Sequence, residues 1–214
     1  MRRKKGRFTR FMGMMFRLVS TLVIVGAAMV GLSSCAQKDV AEFADRQPTL
    51  MLEQFFVGQT VAYGIFEDRF GNVRRQFRVN LDGQLDGDDL ILDEDFLYDD
   101  GERAKRIWTI ANNGKNEAGL YQYQGTADDI TGTASGIVAG NTMNWSYDVV
   151  LNMSGNDVEV HFDDWIYKQD EEVAINRAYI SKYGIEIGSV TIVFLRGQAA
   201  AAVGPLDVEQ WILR

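Results

Sequence analysis

From Gly58 onward, apolar and polar residues alternate with a period of two, and Gly, Asn and Asp break the alternation at short intervals. That period puts successive side chains on opposite faces of a strand, and the breaks supply the tight turns of antiparallel hairpins. The first hairpin is expected from residues 60–66, the turn Asp68-Arg69-Phe70-Gly71-Asn72 and residues 73–81, with Val73, Phe77, Val79 and Leu81 on one face. Residues 90–98 alternate Leu90, Leu92, Phe96 and Tyr98 with polar positions, turn at Asp99-Asp100-Gly101, and return through 103–110 with Ala104, Arg106, Trp108 and Ile110 together. Asn112-Asn113-Gly114 closes that pair. Short strands follow at 120–125 and 132–138, then the turn Ala139-Gly140-Asn141 and the apolar stripe Met143, Trp145, Tyr147, Val149 and Leu151. After Ser154-Gly155-Asn156-Asp157, the positions Val158, Val160 and Phe162 lead to Asp163-Asp164-Trp165, and strands at 173–181 and 185–195 flank Tyr183-Gly184.

This pattern predicts about ten strands. The two prolines, Pro48 and Pro205, both fall outside the span, as suits a sheet whose interior amides are all paired. Evenly spaced strands without intervening helices favour closure, which removes exposed edges. The expected fold is all-β, an antiparallel up-and-down lipocalin-like barrel, with an open sandwich as the competing arrangement because sequence does not fix shear or register.

The chain begins differently. Residues 1–34 hold seven Lys/Arg and no acidic residue, and the uncharged run 18–31 is 14 residues long. A spanning helix needs about 20, so the run reads as an export signal. It ends at Leu32-Ser33-Ser34-Cys35, the one cysteine of the chain, in the manner of a lipoprotein processing site. Cys35 is thus the expected lipid-attachment residue. The organisation predicted is a signal peptide over 1–34, a polar tether over 35–48, the barrel over 49–196 and an additional C-terminal tail over 197–214. Acyl chains contribute about 0.8 kcal/mol per buried methylene, and more than one is needed for stable anchoring. With Ala36 rather than Asp after the cysteine, the expected address is the bacterial outer membrane, facing the periplasm.

Removal of the signal changes the electrostatics. Seven of the 22 basic residues and none of the 30 acidic ones leave with it, so 15 basic and 30 acidic residues remain and the net charge is −15. Such a surface excludes nucleic acid as a partner, since phosphate binding needs clustered positive charge.

Little catalytic chemistry is offered. His161 is the single histidine and lies in an alternating stretch, which favours a solvated or structurally bonded imidazole over a Ser-His-Asp centre or a multi-histidine metal site. The Gly-rich stretch 132–140 lacks the Lys-Ser/Thr ending of a phosphate loop. Asp93-Glu94-Asp95, Asp99-Asp100, Asp163-Asp164 and the stretch 82–89 do not match a spaced Ca²⁺ loop and read as turns and acidic surface. No metal, cofactor or catalytic residue is assigned. Alternation turns Glu94 and Phe96 inward, and likewise Arg106 and Trp108. Buried charge needs partners, so Arg106 and Arg177 should meet Glu94, Asp163 or Asp164.

Several runs resemble the DUF3833 family of bacterial lipoproteins. They are Tyr63-Gly64-Ile65-Phe66-Glu67-Asp68-Arg69-Phe70-Gly71, Leu92-Asp93-Glu94-Asp95-Phe96-Leu97-Tyr98-Asp99-Asp100-Gly101-Glu102, Arg106-Ile107-Trp108, and Gly140-Asn141 through Trp145-Ser146-Tyr147. Phe162-Asp163-Asp164-Trp165-Ile166-Tyr167, Asn176-Arg177-Ala178 and Ser181-Lys182-Tyr183-Gly184 continue the likeness in the same order. The resemblance implies an envelope lipoprotein, and the family's function is uncharacterised. The leading expectation is a barrel that binds a fatty acid or other apolar ligand among Phe96, Trp108, Trp145 and Tyr147, with Glu94 nearby and Arg106 or Arg177 meeting an acidic head group. The alternative is a non-enzymatic interaction or assembly factor using the Asp68-Arg69-Phe70-Gly71 and Asp163-Asp164-Trp165 segments. An enzyme using Glu94 or Asp163 as acid or base ranks third.

Overall fold

The computed structural model describes residues 38–211 except Ser154, so Cys35 and the expected signal over 1–34 lie outside the described residues. Residues 40–214 group as one compact unit. Ten strands run up and down in chain order: β1 (Gly58–Asp68), β2 (Val73–Asp86), β3 (Asp89–Tyr98), β4 (Arg103–Lys115), β5 (Tyr121–Thr126), β6 (Ile130–Ala139), β7 (Thr142–Met153), β8 (Asn156–Lys168), β9 (Val173–Lys182) and β10 (Ile185–Arg196). Each pairs with the next, and β1 pairs with β10, so the sheet is a closed antiparallel barrel of lipocalin-like form and not a sandwich. The closing seam runs from Thr60 opposite Arg196 to Asp68 opposite Gly188. Among the described residues no helix is long and apolar enough to cross a membrane.

The alternating apolar residues fill the lumen. Val79, Leu81, Leu90, Leu92, Val149 and Val160 are buried in one continuous cluster. Large rings are accommodated by glycines on the inner wall. Phe77 lies directly against Gly64, and Trp145 and Met143 against Gly136. A methyl group at Gly125 would stand 2.8 Å from the Trp145 ring. Such contacts leave no slack for larger side chains at these wall positions.

The two ends of the barrel differ. An even number of strands returns β10 to the end where β1 begins, and there the chain preceding β1 plugs the lumen with Leu50, Leu52, Phe55 and Phe56, all buried. The one-turn helix α1 (Leu52–Phe55) is far too short to persist alone. Its packing holds it: Phe55 lies edge-on to Phe56 at 5.0 Å, and Phe56 edge-on to Phe194 at 5.3 Å. Polar ties complete the plug. Leu50 N–H donates to the Gly140 carbonyl at 2.9 Å, and the Tyr123 hydroxyl and Asn112 amide donate to Glu53 at 2.9 and 3.0 Å.

Both flanking segments pack against the wall. Within the stretch assigned to a polar tether, Val40–Phe43 form a 3₁₀ turn, and Val40 is buried with Ala139 and Trp165. Val40 and Phe43 are the apolar positions that break the polar character of the tether, and the short helical turn they allow is the 3₁₀ turn. Gly140 has φ of 53° and sits so near the Phe43 carbonyl that a side chain there has no room. At the other terminus, α2 (Gly197–Val203) lays Ala200 over Val61, joined by Leu206. Asn80 and Leu206 exchange hydrogen bonds of 2.8 and 2.9 Å, and Arg103 pairs with Glu209 at 2.8 Å. The tail is therefore part of the folded unit.

Phe55→Ala should destabilise the protein by about 3–5 kcal/mol through the cavity left in the plug, measured by urea unfolding.

Candidate functional site

Polar side chains interrupt the apolar filling midway along the lumen. Glu94 on β3, Arg106 on β4, Tyr147 on β7, Asp164 on β8 and Asn176 on β9 all occupy inward positions by the parity of their strands. Arg106 stands opposite Glu94 in register, yet its guanidinium turns to Asp129 in the β5–β6 turn. Nε lies 3.0 Å and Nη2 2.6 Å from Asp129 Oδ2, and Nε also reaches Oδ1 at 3.1 Å. This fork uses the Nε side of the guanidinium and leaves Nη1 without a contact to Asp129. Asp164 Oδ2 accepts from the Asn176 amide at 3.1 Å, while Asp164 Oδ1 and Asn176 Oδ1 are buried with no hydrogen-bond partner.

Aromatic rings enclose these groups. Trp108 meets Trp145 edge-on at 5.6 Å and Tyr147 at 5.4 Å, and Tyr147 stacks on Phe162 at 5.2 Å. Burial pushes the Glu94 carboxyl up to about 7; Asp129 and Asp164 add to the rise, and Arg106 and the Trp108 indole oppose it. Burial likewise pushes Asp164 up to about 7, against the Asn176 hydrogen bond, Arg106 and Tyr147. Desolvation dominates in both because one guanidinium, already engaged by Asp129, faces three carboxyls.

The end opposite the plug carries the β1–β2, β3–β4, β5–β6, β7–β8 and β9–β10 turns. Towards that end Phe66, Phe96, Tyr98, Leu151, Phe162 and Val190 are half-buried against the core. The lumen is thus plugged at one end and flanked by half-buried apolar side chains at the other, with a polar cluster between.

The structure brings together six of the seven residues singled out from sequence: Glu94, Phe96, Arg106, Trp108, Trp145 and Tyr147 all face the lumen. Arg177 does not. Asn176 and Ala178 point inward, so Arg177 between them must point out, and it bonds Glu67 at 2.9 Å and Thr191 at 2.6 Å on the outer wall. The proposed acidic partners also shift. Asp163 faces outward, bonded to the Asn144 amide and the Trp165 indole, and Arg106 takes Asp129 instead. Asp163-Asp164-Trp165 is not an exposed segment but the middle of β8. Asn176 shares the parity of Ala174 and Ala178 and was readable; Asp129 lies in a turn, where alternation carries no signal.

His161 sits on the outer wall, its Nδ1 2.8 Å from Asp148 Oδ1 and its Nε2 3.2 Å from Ser146 Oγ. The order of contacts is that of a hydrolytic triad, but His161 and Asp148 are half exposed. The adjoining recess of about 300 Å³ is lined largely by polar residues such as Gln122, Gln124, Ser135 and Asn144, and offers no apolar cleft for an acyl group. A second outer recess of about 460 Å³ lies beneath α2. Among the described residues no group of His, Cys, Asp or Glu is arranged to hold a metal ion.

A family model described as protein of unknown function, DUF3833, matches residues 29–196. No curated protein matches the chain. Similar solved structures include the S-type phycobiliprotein lyase CPES from Guillardia theta, at 8% identity over 69% of this chain and 93% of that one, TM-score 0.48. Another is EF1p2_mFAP2b bound to DFHBI, at 10% identity over 69% of this chain and all of that one, TM-score 0.36.

Glu94 and Asp164 hold their protons more tightly when folded than unfolded, so folding takes up protons between about pH 4 and pH 7 and stability falls as pH rises through that window. Asp164→Asn should therefore raise the melting temperature by about 5 °C at pH 8 and leave it nearly unchanged at pH 4.5, measured by thermal denaturation.

Proposed function

We propose that this chain, which belongs to DUF3833, a family of proteins of unknown function, is an envelope lipoprotein that binds an amphipathic, lipid-like ligand in its barrel. One observation carries the ligand reading: Glu94, Arg106, Tyr147, Asp164 and Asn176 are buried inside an apolar lumen that Leu50, Leu52, Phe55 and Phe56 cover at one end and half-buried apolar side chains flank towards the other. Desolvation of these carboxyls opposes folding, and a ligand's polar group would offset it. A ligand's polar group among them and its chain among the rings of Phe66, Phe96 and Tyr98 would use both features. The lipid anchor rests on the sequence of residues 1–35, and attachment at Cys35 on the periplasmic face of the outer membrane belongs to the same proposal.

A second reading draws on a separate feature. Phe70, Val73, Tyr183 and Ile185 are large exposed hydrophobics on two adjoining hairpins at the open end, which are tied by the Arg69 amide donating to the Ile187 carbonyl at 3.1 Å. Exposed apolar clusters of this kind suit docking of a protein partner at the mouth.

Two measurements test these readings. Growth with an alkyne analogue of palmitate should label the wild-type chain, and Cys35→Ser should abolish the label; equal labelling of both would remove the anchor. Native mass spectrometry of residues 36–214, which include the whole barrel and plug, should show a co-purified lipid-sized adduct. Adduct-free protein, together with capture of one protein by a photo-crosslinker at Tyr183, would favour the docking reading instead.

A further inference from the structure

We infer that the tips of the β1–β2 and β9–β10 hairpins seat on an anionic lipid surface, with Phe70 and Tyr183 entering the head-group layer and Arg69 and Lys182 meeting lipid phosphates. The contact is independent of what the lumen holds. It is also separate from an anchor at Cys35: residues 40–56 pack at the plugged pole and these tips stand at the other, so the lipid they meet is a second surface. The fold itself makes no use of the rings. Phe70 and Tyr183 are 75% and 92% exposed, and Val73 and Ile185 beside them are exposed as well. Tyr183 is the one non-glycine residue with positive φ, 52°, among the described residues, a left-handed conformation that is costly for a bulky side chain. The Arg69 N–H donates to the Ile187 carbonyl at 3.1 Å and ties the two hairpins, so both rings project from one sector.

Lipid suits this sector better than a protein face for two reasons. The first is that the backbone of the β1–β2 turn is already satisfied. Phe70 and Asn72 N–H donate to Asp68 Oδ1 at 2.9 and 3.0 Å, Gly71 N–H to the Asp68 carbonyl at 2.9 Å, and Arg69 N–H to Ile187 as above. Entry of residues 69–72 into an apolar layer therefore strips water from no free N–H, and a protein partner finds no backbone donor there to bond. The second reason is charge. Arg69 Cζ lies 4.8 Å from the Phe70 ring centroid and Lys182 Nζ 5.3 Å from that of Tyr183, and among the described residues neither cation pairs with a carboxylate. Of the acids near these tips, Asp68 pairs with Arg74 and Glu67 with Arg177, which leaves Glu186. The other turns of the same pole carry Asp99 and Asp100, Asp128 and Asp129, and Asp157. Exposed rings and unpaired cations thus share one sector of an acidic chain. That pairing belongs to membrane interfaces, where aromatic rings sit at head-group depth and Lys or Arg attracts anionic lipid.

The test is co-sedimentation of residues 36–214, which contain the compact unit 40–214, with vesicles of phosphatidylcholine alone or mixed equally with phosphatidylglycerol. Affinity for the mixed vesicles should exceed that for phosphatidylcholine about tenfold or more at low ionic strength and fall as salt is added. Phe70→Ser combined with Tyr183→Ser should weaken binding to the mixed vesicles about tenfold or more. Arg69→Gln combined with Lys182→Gln should bring it down to the phosphatidylcholine level, while Ile107→Ser, at an exposed position on the outer wall, leaves it unchanged. A second readout keeps both rings in place. Cys35 is absent from residues 36–214, so Val73→Cys supplies a single thiol; carrying nitrobenzoxadiazole, it should brighten on the mixed vesicles, and the same label at Ile107→Cys should not. A wild-type chain that sediments with neither vesicle, or a folded Phe70→Ser and Tyr183→Ser variant that sediments as the wild type does, would overturn the inference. Failure to bind either vesicle, together with crosslinking of Tyr183 to one protein in intact cells, would assign these hairpins to a protein partner instead.

Discussion

Pairing of β1 with β10 is the constraint on which the rest of the molecule depends. Once that seam closes, every strand has two neighbours and the lumen becomes a fixed volume that its own side chains must fill. The packing of Phe77 against Gly64 and of Trp145 against Gly125 and Gly136 follows from that limit: rings of this size lie over positions on nearby strands that carry no side chain. The same closure explains the plug. A barrel end is a ring of unpaired apolar surface, and the residues just before β1 are placed by the topology to cover it.

Closure also sets the electrostatics. Inward positions have no route to bulk water except through the lumen, so a carboxyl there is desolvated as a consequence of strand parity alone. This enclosure pushes Glu94 and Asp164 up to about 7, against the opposing pull of Arg106, whose closest carboxylate is Asp129. The polar cluster is thus strained in its solvation but sound in its packing, a combination that suits a group awaiting a partner.

Strand count, hairpin order and the inward set around Trp108 and Trp145 were legible because alternation is a strictly local code. Where the code was applied loosely it failed: Arg177 follows Asn176 and cannot share its face, and Asp163-Asp164-Trp165 continues the alternation of Val158, Val160 and Phe162 without a break. Other features were beyond any local reading. Asp129 reaches Arg106 from a turn 23 residues away, and the choice of Asp129 over Glu94, directly opposite in register, is decided by side-chain direction in three dimensions. The plug was likewise hidden, because Leu52–Phe55 shows too little periodicity to announce a helix and acquires its role only when a barrel end exists to receive it.

An even number of strands has a directional consequence. Both the chain before β1 and the chain after β10 leave from the plugged end, and each is pinned to the wall there, by Val40 against Ala139 and Trp165 on one side and by Ala200 over Val61 on the other. Both described flanking segments therefore meet the barrel at its sealed base. The turns that carry Phe70 and Tyr183 form the opposite pole of the barrel, and the largest exposed rings stand where neither flanking segment reaches.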